Sequence, residues 1–209
     1  MTNNINSADT AWMLVATAMV LVMTPAVGFF YGGMVRAKNT LNTMMMSYVA
    51  IGFVGIAWAI IGYSLAFAGS AGAVGGLAFA FLNNVRLEAH GSIPHLLFAC
   101  YQGTFAVITA ALISGAIVER MRFGPYLTFI AVWSIVVYAP VAHWVWGGGF
   151  LAERGVLDFA GGIVVHAIAG VAALASVLYV GRRRTADSGA HSIPLVALGT
   201  GLLWFGWYG

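Results

Sequence analysis

Charged side chains are scarce in this sequence: Asp, Glu, Lys and Arg make up 7% of its 209 residues, against about 25% in a typical soluble domain. Hydrophobic residues account for 61%, and the mean hydropathy is +0.92. This composition excludes an ordinary water-soluble domain and predicts a polytopic membrane protein. The net charge of +3 does not indicate nucleic-acid binding, because the basic residues cluster in short segments between apolar runs.

The sequence also has little that could support catalysis or metal binding. A single cysteine, Cys100, excludes an intramolecular disulfide and a metal site built on cysteines. No H-x-x-x-H spacing, no Gly-rich phosphate loop and no convincing Ser/His/Asp set is present. We therefore expect no metal, no cofactor and no enzymatic activity. The first twelve residues carry no basic residue before the first apolar stretch, so a cleaved signal peptide is not expected.

Long stretches with few or no charges predict membrane helices, since open strand edges cannot face lipid. The six expected helices cover residues 11–30, 41–67, 94–118, 123–142, 159–180 and 193–209. A crossing needs about 20 residues, and the last stretch is barely that long. The sequence is therefore expected to stop inside its sixth helix, or just as that helix ends.

The distribution of basic residues predicts the orientation in the membrane. Alternate loops hold Arg36, Lys38, Arg120, Arg122, Arg182, Arg183 and Arg184. The other loops hold only Arg86 and Arg154. Because cytoplasmic loops carry the excess of Lys and Arg, the N-terminus is expected outside the cytoplasm.

His166 lies near the middle of the fifth apolar stretch, 159–180, which contains no Asp, Glu, Lys or Arg. An ionisable side chain at that depth is costly and normally faces a partner or a water-filled or substrate-filled lumen. Gly162 and Gly170 lie four residues to either side and share its helix face. Two interpretations are open: a narrow lumen into which His166 projects, or a small-residue helix interface in which His166 bonds to a neighbouring helix.

Asp158 and Trp146 lie just before this helix and each allow two interpretations. Asp158 can cap the free amides of Ala160 or Gly161, and its carboxylate can also attract cations; both can hold at once. Trp146, with Trp144, belongs either to an aromatic belt at the water–lipid boundary or to a site where an indole face binds a cation.

The third stretch places aromatic and aliphatic residues on one helix face, namely Tyr101, Phe105, Ile108 and Leu112. Phe105 could plug a pore there, or the face could serve ordinary packing. The remaining histidines, which are His90, His95, His143 and His191, lie near loops or span ends and are expected to be mostly interfacial.

Four long motifs resemble the ammonium transporter family (Amt/Rh). They are ADTAWMLVATAMVLVMTPAVGFFYGGMVRAKN, YQGTFAVITAALISGAIVERMRF, AHWVWGGGFLAERGVLDFAGGIVVHAIAGVAAL and LLWFGWYG. The resemblance implies an all-α, multi-pass plasma-membrane protein of eleven helices with the N-terminus outside. It further implies two five-helix halves of inverted topology and a homotrimer with a pore in each protomer. Residues 1–209 would form a single ammonium-transporter domain, comprising the first half and the start of the second.

The resemblance also assigns roles to individual residues. Trp146 resembles the outer-site aromatic that recruits ammonium, and Asp158 the acidic residue beneath it. Phe105 resembles the outer of two gate phenylalanines, and His166 the first of two paired pore histidines. Tyr101, Gln102 and Trp207 resemble residues around the pore entrance and its lining. The partner histidine, the second gate phenylalanine and the recruitment-site serine do not occur up to Gly209.

The implied function is transport of ammonium or ammonia across the lipid bilayer. Ammonium would be recruited at the outer aromatic site and deprotonated, and ammonia would pass through a hydrophobic pore lined by histidine. The resemblance implies a PII-type regulator as a further partner of the full-length protein. The alternative is an ammonium-sensing membrane domain of a signalling protein.

Overall fold

Helices form nearly all of the fold. The structure is a computed structural model that describes residues 5–69, 72–183 and 189–209; Arg184, used in the charge comparison, lies outside the described residues. The α-helices are α1 (Ser7–Met34), α2 (Thr40–Ala57), α3 (Tyr63–Phe67), α4 (His95–Ile117), α5 (Phe123–Trp133), α6 (Ala139–Val145), α7 (Phe150–Glu153), α8 (Ile168–Val180) and α9 (Ile193–Gly206).

Shorter elements connect these helices. Three π-helical segments, Trp58–Gly62, Ser134–Tyr138 and Gly162–Ala167, join α2 to α3, join α5 to α6, and lead into α8. Two 3₁₀ turns occupy Ala37–Asn39 and Ala80–Leu82. The strands β1 (Ala89–His90) and β2 (Ile93–Pro94) form a small antiparallel hairpin in which Ala89 pairs with Pro94.

Five helical stretches of the described chain are long and apolar enough to cross a membrane. They are Ser7–Met34, Ala37–Phe67, His95–Ile117, Phe123–Glu153 and Gly162–Val180, and the shorter apolar helix Ile193–Gly206 follows them. The expectation of an all-α, multi-pass membrane protein is confirmed.

Hydrogen-bonded caps explain where two predicted bounds differ from the structure. The first helix begins at Ser7 rather than residue 11, because Asn6 Oδ1 accepts hydrogen bonds from the amides of Ala8 and Asp9 at 2.8 and 3.1 Å. The fifth stretch becomes helical at Gly162 rather than residue 159. The chain turns at Gly161, whose φ of +79° lies in the left-handed region, and the helical amides start after it.

The core lies where α2, α4 and the π-helical segments meet. Trp58 is buried there and makes edge contacts with Tyr63 and Tyr138, with ring centroids 5.7 and 6.0 Å apart. Its indole Nε1 donates to the Ala99 carbonyl at 3.0 Å. A Cβ on Gly103 would lie 2.9 Å from the Trp58 ring, so only glycine fits where α4 passes this indole. The helix α1 packs on the other side, against α9, α4 and α2.

A polar cluster ties the α1–α2 loop to the α4–α5 loop. Glu119 accepts hydrogen bonds from Arg36 Nε at 3.1 Å and from Asn39 Nδ2. Burial of this carboxyl opposes ionisation, but the hydrogen bonds from Asn39 and Arg36 and the positive charges of Arg36 and Arg183 outweigh it and lower the pKa of Glu119 below its ordinary value. At the same end of the molecule, His191 Nδ1 lies 2.7 Å from the carbonyl oxygen of Val35.

Candidate functional site

A cavity of about 570 Å³ opens between α1, α4, the π-helical segment at Gly162–Ala167 and α9. Its wall on α4 is formed by Tyr101, Phe105, Ile108 and Leu112, the four residues that the spacing placed on one face. Opposite them lie Ala160, Gly162, Val165 and His166. The remaining lining residues are Val20, Met23, Phe159, Leu203, Gly206, Trp207, Tyr208 and Gly209.

Three aromatic rings follow one another at one side of this cavity. Phe105 meets Tyr101 edge to face, with ring centroids 5.0 Å apart. On its other side it meets the indole of Trp146 at 5.7 Å. The hydroxyl of Tyr101 donates to the Gly209 carbonyl at 2.9 Å. Phe105, which lines the cavity, thus contacts both the Tyr101 ring and the Trp146 indole, which does not line it.

Asp158 organises the start of the fifth membrane helix. Its Oδ1 accepts from the Gly162 amide at 2.7 Å, and its Oδ2 accepts from Ile163 and Val164 at 2.8 and 2.9 Å. The expected cap on Ala160 or Gly161 is thus wrong in its partners. Because the chain turns at Gly161, the first free helical amides are those of Gly162, Ile163 and Val164. The carboxylate accepts hydrogen bonds from all three. A carboxylate fits this place well, since negative charge is favoured at a helix N-terminus.

Trp146 is fixed by the same loop. Its Nε1 donates to the main-chain carbonyl of Asp158 at 2.8 Å. With the N–H engaged and Phe105 against the ring, the indole is half-buried within the protein. Trp144 is half-buried as well, and its Nε1 donates to the Ala73 carbonyl at 2.6 Å.

His166 lies within the π-helical segment Gly162–Ala167 and lines the cavity. Its amide bonds to the Gly161 carbonyl five residues back, at 2.9 Å. A Cβ on Gly170 would meet nothing within 4 Å, and one on Gly162 would meet only Asp158 Oδ1 at 3.8 Å. Among the described residues, these glycines thus make no close contact with another helix. The sequence did not indicate the π-helical segment, a form that is frequent at functional sites.

Two further expected site residues, Trp207 and Gln102, differ in their position relative to the cavity. Trp207 lines the cavity at the end of α9, with 65% of its surface exposed. Gln102 does not line it, because one residue along a helix turns the side chain about 100° from Tyr101. Its Oε1 is buried and has no hydrogen-bond partner among residues 5–69, 72–183 and 189–209.

His143 is an exception to the expectation that the other histidines are mostly interfacial. It is fully buried at the end of α6, and its Nδ1 lies 3.0 Å from the Ala66 carbonyl. The three glycines after Trp146 were the signal for this burial. They permit a close backbone crossing, which covers the turn before them. His95 is half-buried and its Nε2 lies 2.6 Å from the Tyr63 hydroxyl, while His90 is exposed.

The described ranges contain no group of three or more His, Cys, Asp or Glu side chains that could hold a metal ion. The site is therefore an apolar cavity with aromatic rings, one imidazole and one carboxylate-capped helix start. Such an arrangement can bind a small solute.

Known proteins resemble this chain in both sequence and fold. The model of the Ammonium Transporter Family matches residues 11–209. The ammonium transporter of Bacillus subtilis (strain 168) is 48% identical over 205 residues, which are 96% of this chain and 51% of that protein. The crystal structure of Candida albicans Mep2 superposes with a TM-score of 0.89 at 39% identity, covering 98% of this chain and 48% of that one.

A solved structure named Sensor Amt Protein superposes with a TM-score of 0.88 at 30% identity, covering 95% of this chain and 52% of that one. The chain thus spans about half the length of the relatives it matches. The match over 11–209, together with the fold and the cavity, shows that the chain belongs to the Ammonium Transporter Family.

Proposed function

We propose that the protein transports ammonium across the plasma membrane, with its N-terminus outside. The observation that carries this proposal is the position of Phe105, which lies between Trp146 and the cavity lined by His166. An outer aromatic site, a ring that blocks the entrance and an apolar lumen with one imidazole thus follow one another. The Bacillus subtilis relative is named an ammonium transporter.

Recruitment at the outer site would rest on Trp146 and Asp158. An indole ring attracts a cation to its face, and the bond from Nε1 to the Asp158 carbonyl holds that ring in one orientation. The carboxylate of Asp158 is engaged with three amides. It would therefore act as a fixed negative charge near the site, while it maintains the helix start.

Deprotonation would follow, because an intact cation is expensive to move through an apolar lumen. Neutral ammonia would pass the ring of Phe105 and continue beside His166. A neutral imidazole has one donor and one acceptor nitrogen, so it can exchange hydrogen bonds with ammonia as it passes. Trp207 and Tyr101 would complete the wall of this lumen.

Ammonium-evoked current in cells without their own ammonium transport, expressing the whole protein, tests this proposal. His166→Ala and Asp158→Ala are each expected to abolish or strongly reduce the current. His90→Ala is the matched control, since His90 is exposed and away from the cavity. Normal current and selectivity in both site variants would refute the roles assigned here.

The second candidate function is ammonium sensing, favoured by the superposition on Sensor Amt Protein. A sensor would bind ammonium at the same outer site and change the activity of a linked signalling module. Ammonium-dependent signalling without ammonium-evoked current would decide for this reading. Homotrimer formation and binding of a PII-type regulator remain predictions, which the mass of the purified protein with and without such a regulator would test.

A further inference from the structure

We propose that His143 is a positioning residue for the Trp146 indole. This inference rests on the proposed function, because it assigns a support to the recruitment site. His143 lies three residues before Trp146, at the end of α6, and none of its surface is exposed. It does not line the cavity, so any effect on transport would act through another residue.

The main chain and the side chain of His143 hold the same segment. Its carbonyl accepts hydrogen bonds from the amides of Gly147 and Gly149 at 3.1 and 3.0 Å. Its Nδ1 bonds to the Ala66 carbonyl, near the end of α3. The turn that follows Trp146 is thus closed on His143, and His143 is tied to a neighbouring helix.

The crossing between this turn and α3 leaves no spare room. A Cβ on Gly147 would lie 2.0 Å from the Ala66 carbonyl oxygen and 3.0 Å from His143 Nδ1. The Ala66 carbonyl therefore fixes both the imidazole and the glycine turn. Since Trp146 lies between His143 and Gly147 in the chain, movement of either changes the direction in which the indole leaves the backbone.

The chemistry of the bond also fixes the proton on the ring. A carbonyl oxygen only accepts, so Nδ1 must carry the hydrogen. The other nitrogen, Nε2, is buried and has no partner among the described residues. His143 therefore serves as a hydrogen-bond donor to the Ala66 carbonyl through Nδ1.

This assignment makes opposite predictions for two amide substitutions. The amide of Asn reaches the place of Nδ1, so His143→Asn can still donate to the Ala66 carbonyl. The amide of Gln reaches the place of Nε2 instead, so His143→Gln loses that bond, as does His143→Leu. Trp144→Phe is the matched control, because it removes a neighbouring indole bond to the Ala73 carbonyl without affecting Ala66.

The test measures ammonium-evoked current against ammonium concentration for each variant of the whole protein, with current normalised to the protein at the cell surface. His143→Leu and His143→Gln are expected to raise the KM about tenfold, the effect expected when a hydrogen bond is lost and its carbonyl stays buried. His143→Asn and Trp144→Phe should stay within about threefold of the wild type. The pH dependence of the current in His143→Asn should match that of the wild type.

Two results would overturn the inference. One is an unchanged KM in His143→Leu with only less protein at the surface, which would indicate a purely structural role. The other is a KM in His143→Asn that rises as it does in His143→Leu, or an altered pH dependence of its current. Either would indicate that Nε2 takes part in proton transfer. Absence of ammonium-evoked current in the wild type would instead refute the proposed function.

A second measurement does not depend on transport. Oxidation of Trp146 in the purified protein can be followed by peptide mass spectrometry, with Trp144 in the same peptide as internal reference. His143→Leu is expected to increase oxidation of Trp146 relative to Trp144, and His143→Asn to restore the wild-type ratio. An unchanged ratio in His143→Leu would overturn the inference even if no current were detected.

Discussion

Trp146 and Asp158 are joined by a hydrogen bond from the indole Nε1 to the main-chain carbonyl, 2.8 Å long. The bond uses the carbonyl of Asp158 and leaves its carboxylate to cap the next helix. Asp158 therefore fixes both the Trp146 ring and the start of the next helix. A change at either position is expected to disturb both the proposed recruitment site and the helix that carries His166.

Trp146→Phe tests this link directly. The variant keeps an aromatic ring beside Phe105 but loses the donor to the Asp158 carbonyl. A typical hydrogen bond contributes about 1 kcal/mol, so we expect the KM for ammonium to rise about fivefold, while the number of molecules at the surface stays normal. Concentration-dependent current is the measurement. A wild-type KM would show that the bond does not orient the ring.

Asp158→Ala is expected to lower the stability of the purified protein by about 2 kcal/mol or more, because three helical amides lose a charged acceptor. The stability of Asp158→Asn should fall between those of the wild type and Asp158→Ala, since a neutral amide oxygen can replace only part of this cap. Thermal unfolding in detergent measures the effect. If Asp158→Ala unfolds at the wild-type temperature, the carboxylate has no structural role.

Gly147→Ala should be among the most damaging alanine substitutions outside the cavity. The new Cβ would meet the Ala66 carbonyl oxygen at 2.0 Å, and a main-chain atom cannot move aside as a side chain can. Overpacking of this kind typically costs about 1–3 kcal/mol. Gly52→Ala on α2 is the control, because its Cβ would meet nothing within 4 Å. Equal unfolding temperatures for the two variants would contradict the close crossing.

The lowered pKa of Glu119 predicts that the polar cluster between the α1–α2 and α4–α5 loops stabilises the protein in a pH-dependent way. Its pKa is lower in the folded protein than its ordinary value of 4.5, so the folded state favours the ionised form. The contribution is complete above that ordinary value and is lost as the pH falls through the lowered folded value. The difference in unfolding temperature between wild type and Glu119→Gln should thus be largest near neutral pH and shrink below about pH 4.5. A difference that stays constant down to acidic pH would argue against the ion pair with Arg36.

Much of the architecture could be read from the residues one after another. Charge-free stretches located the membrane helices, because the exclusion of charge from lipid acts on each stretch separately. The bounds 41–67 and 94–118 agree within one residue with Thr40–Phe67 and His95–Ile117. Helical spacing likewise placed Tyr101 and Phe105 on one face, since that relation lies within a single helix.

Local backbone geometry decided two placements that the expectations from the sequence missed. The cap of Asp158 shifted past Gly161 because the turn, with its positive φ, sets where the first free amides lie. Gln102 turned away from the cavity that its neighbour lines.

His143 is buried because α3 crosses the glycine turn at Ala66, 77 residues away in the chain. Hydropathy is a property of each stretch and is written in the sequence. The meeting of a carbonyl, an imidazole and a glycine turn depends on how the helices pack, and only the tertiary structure determines it.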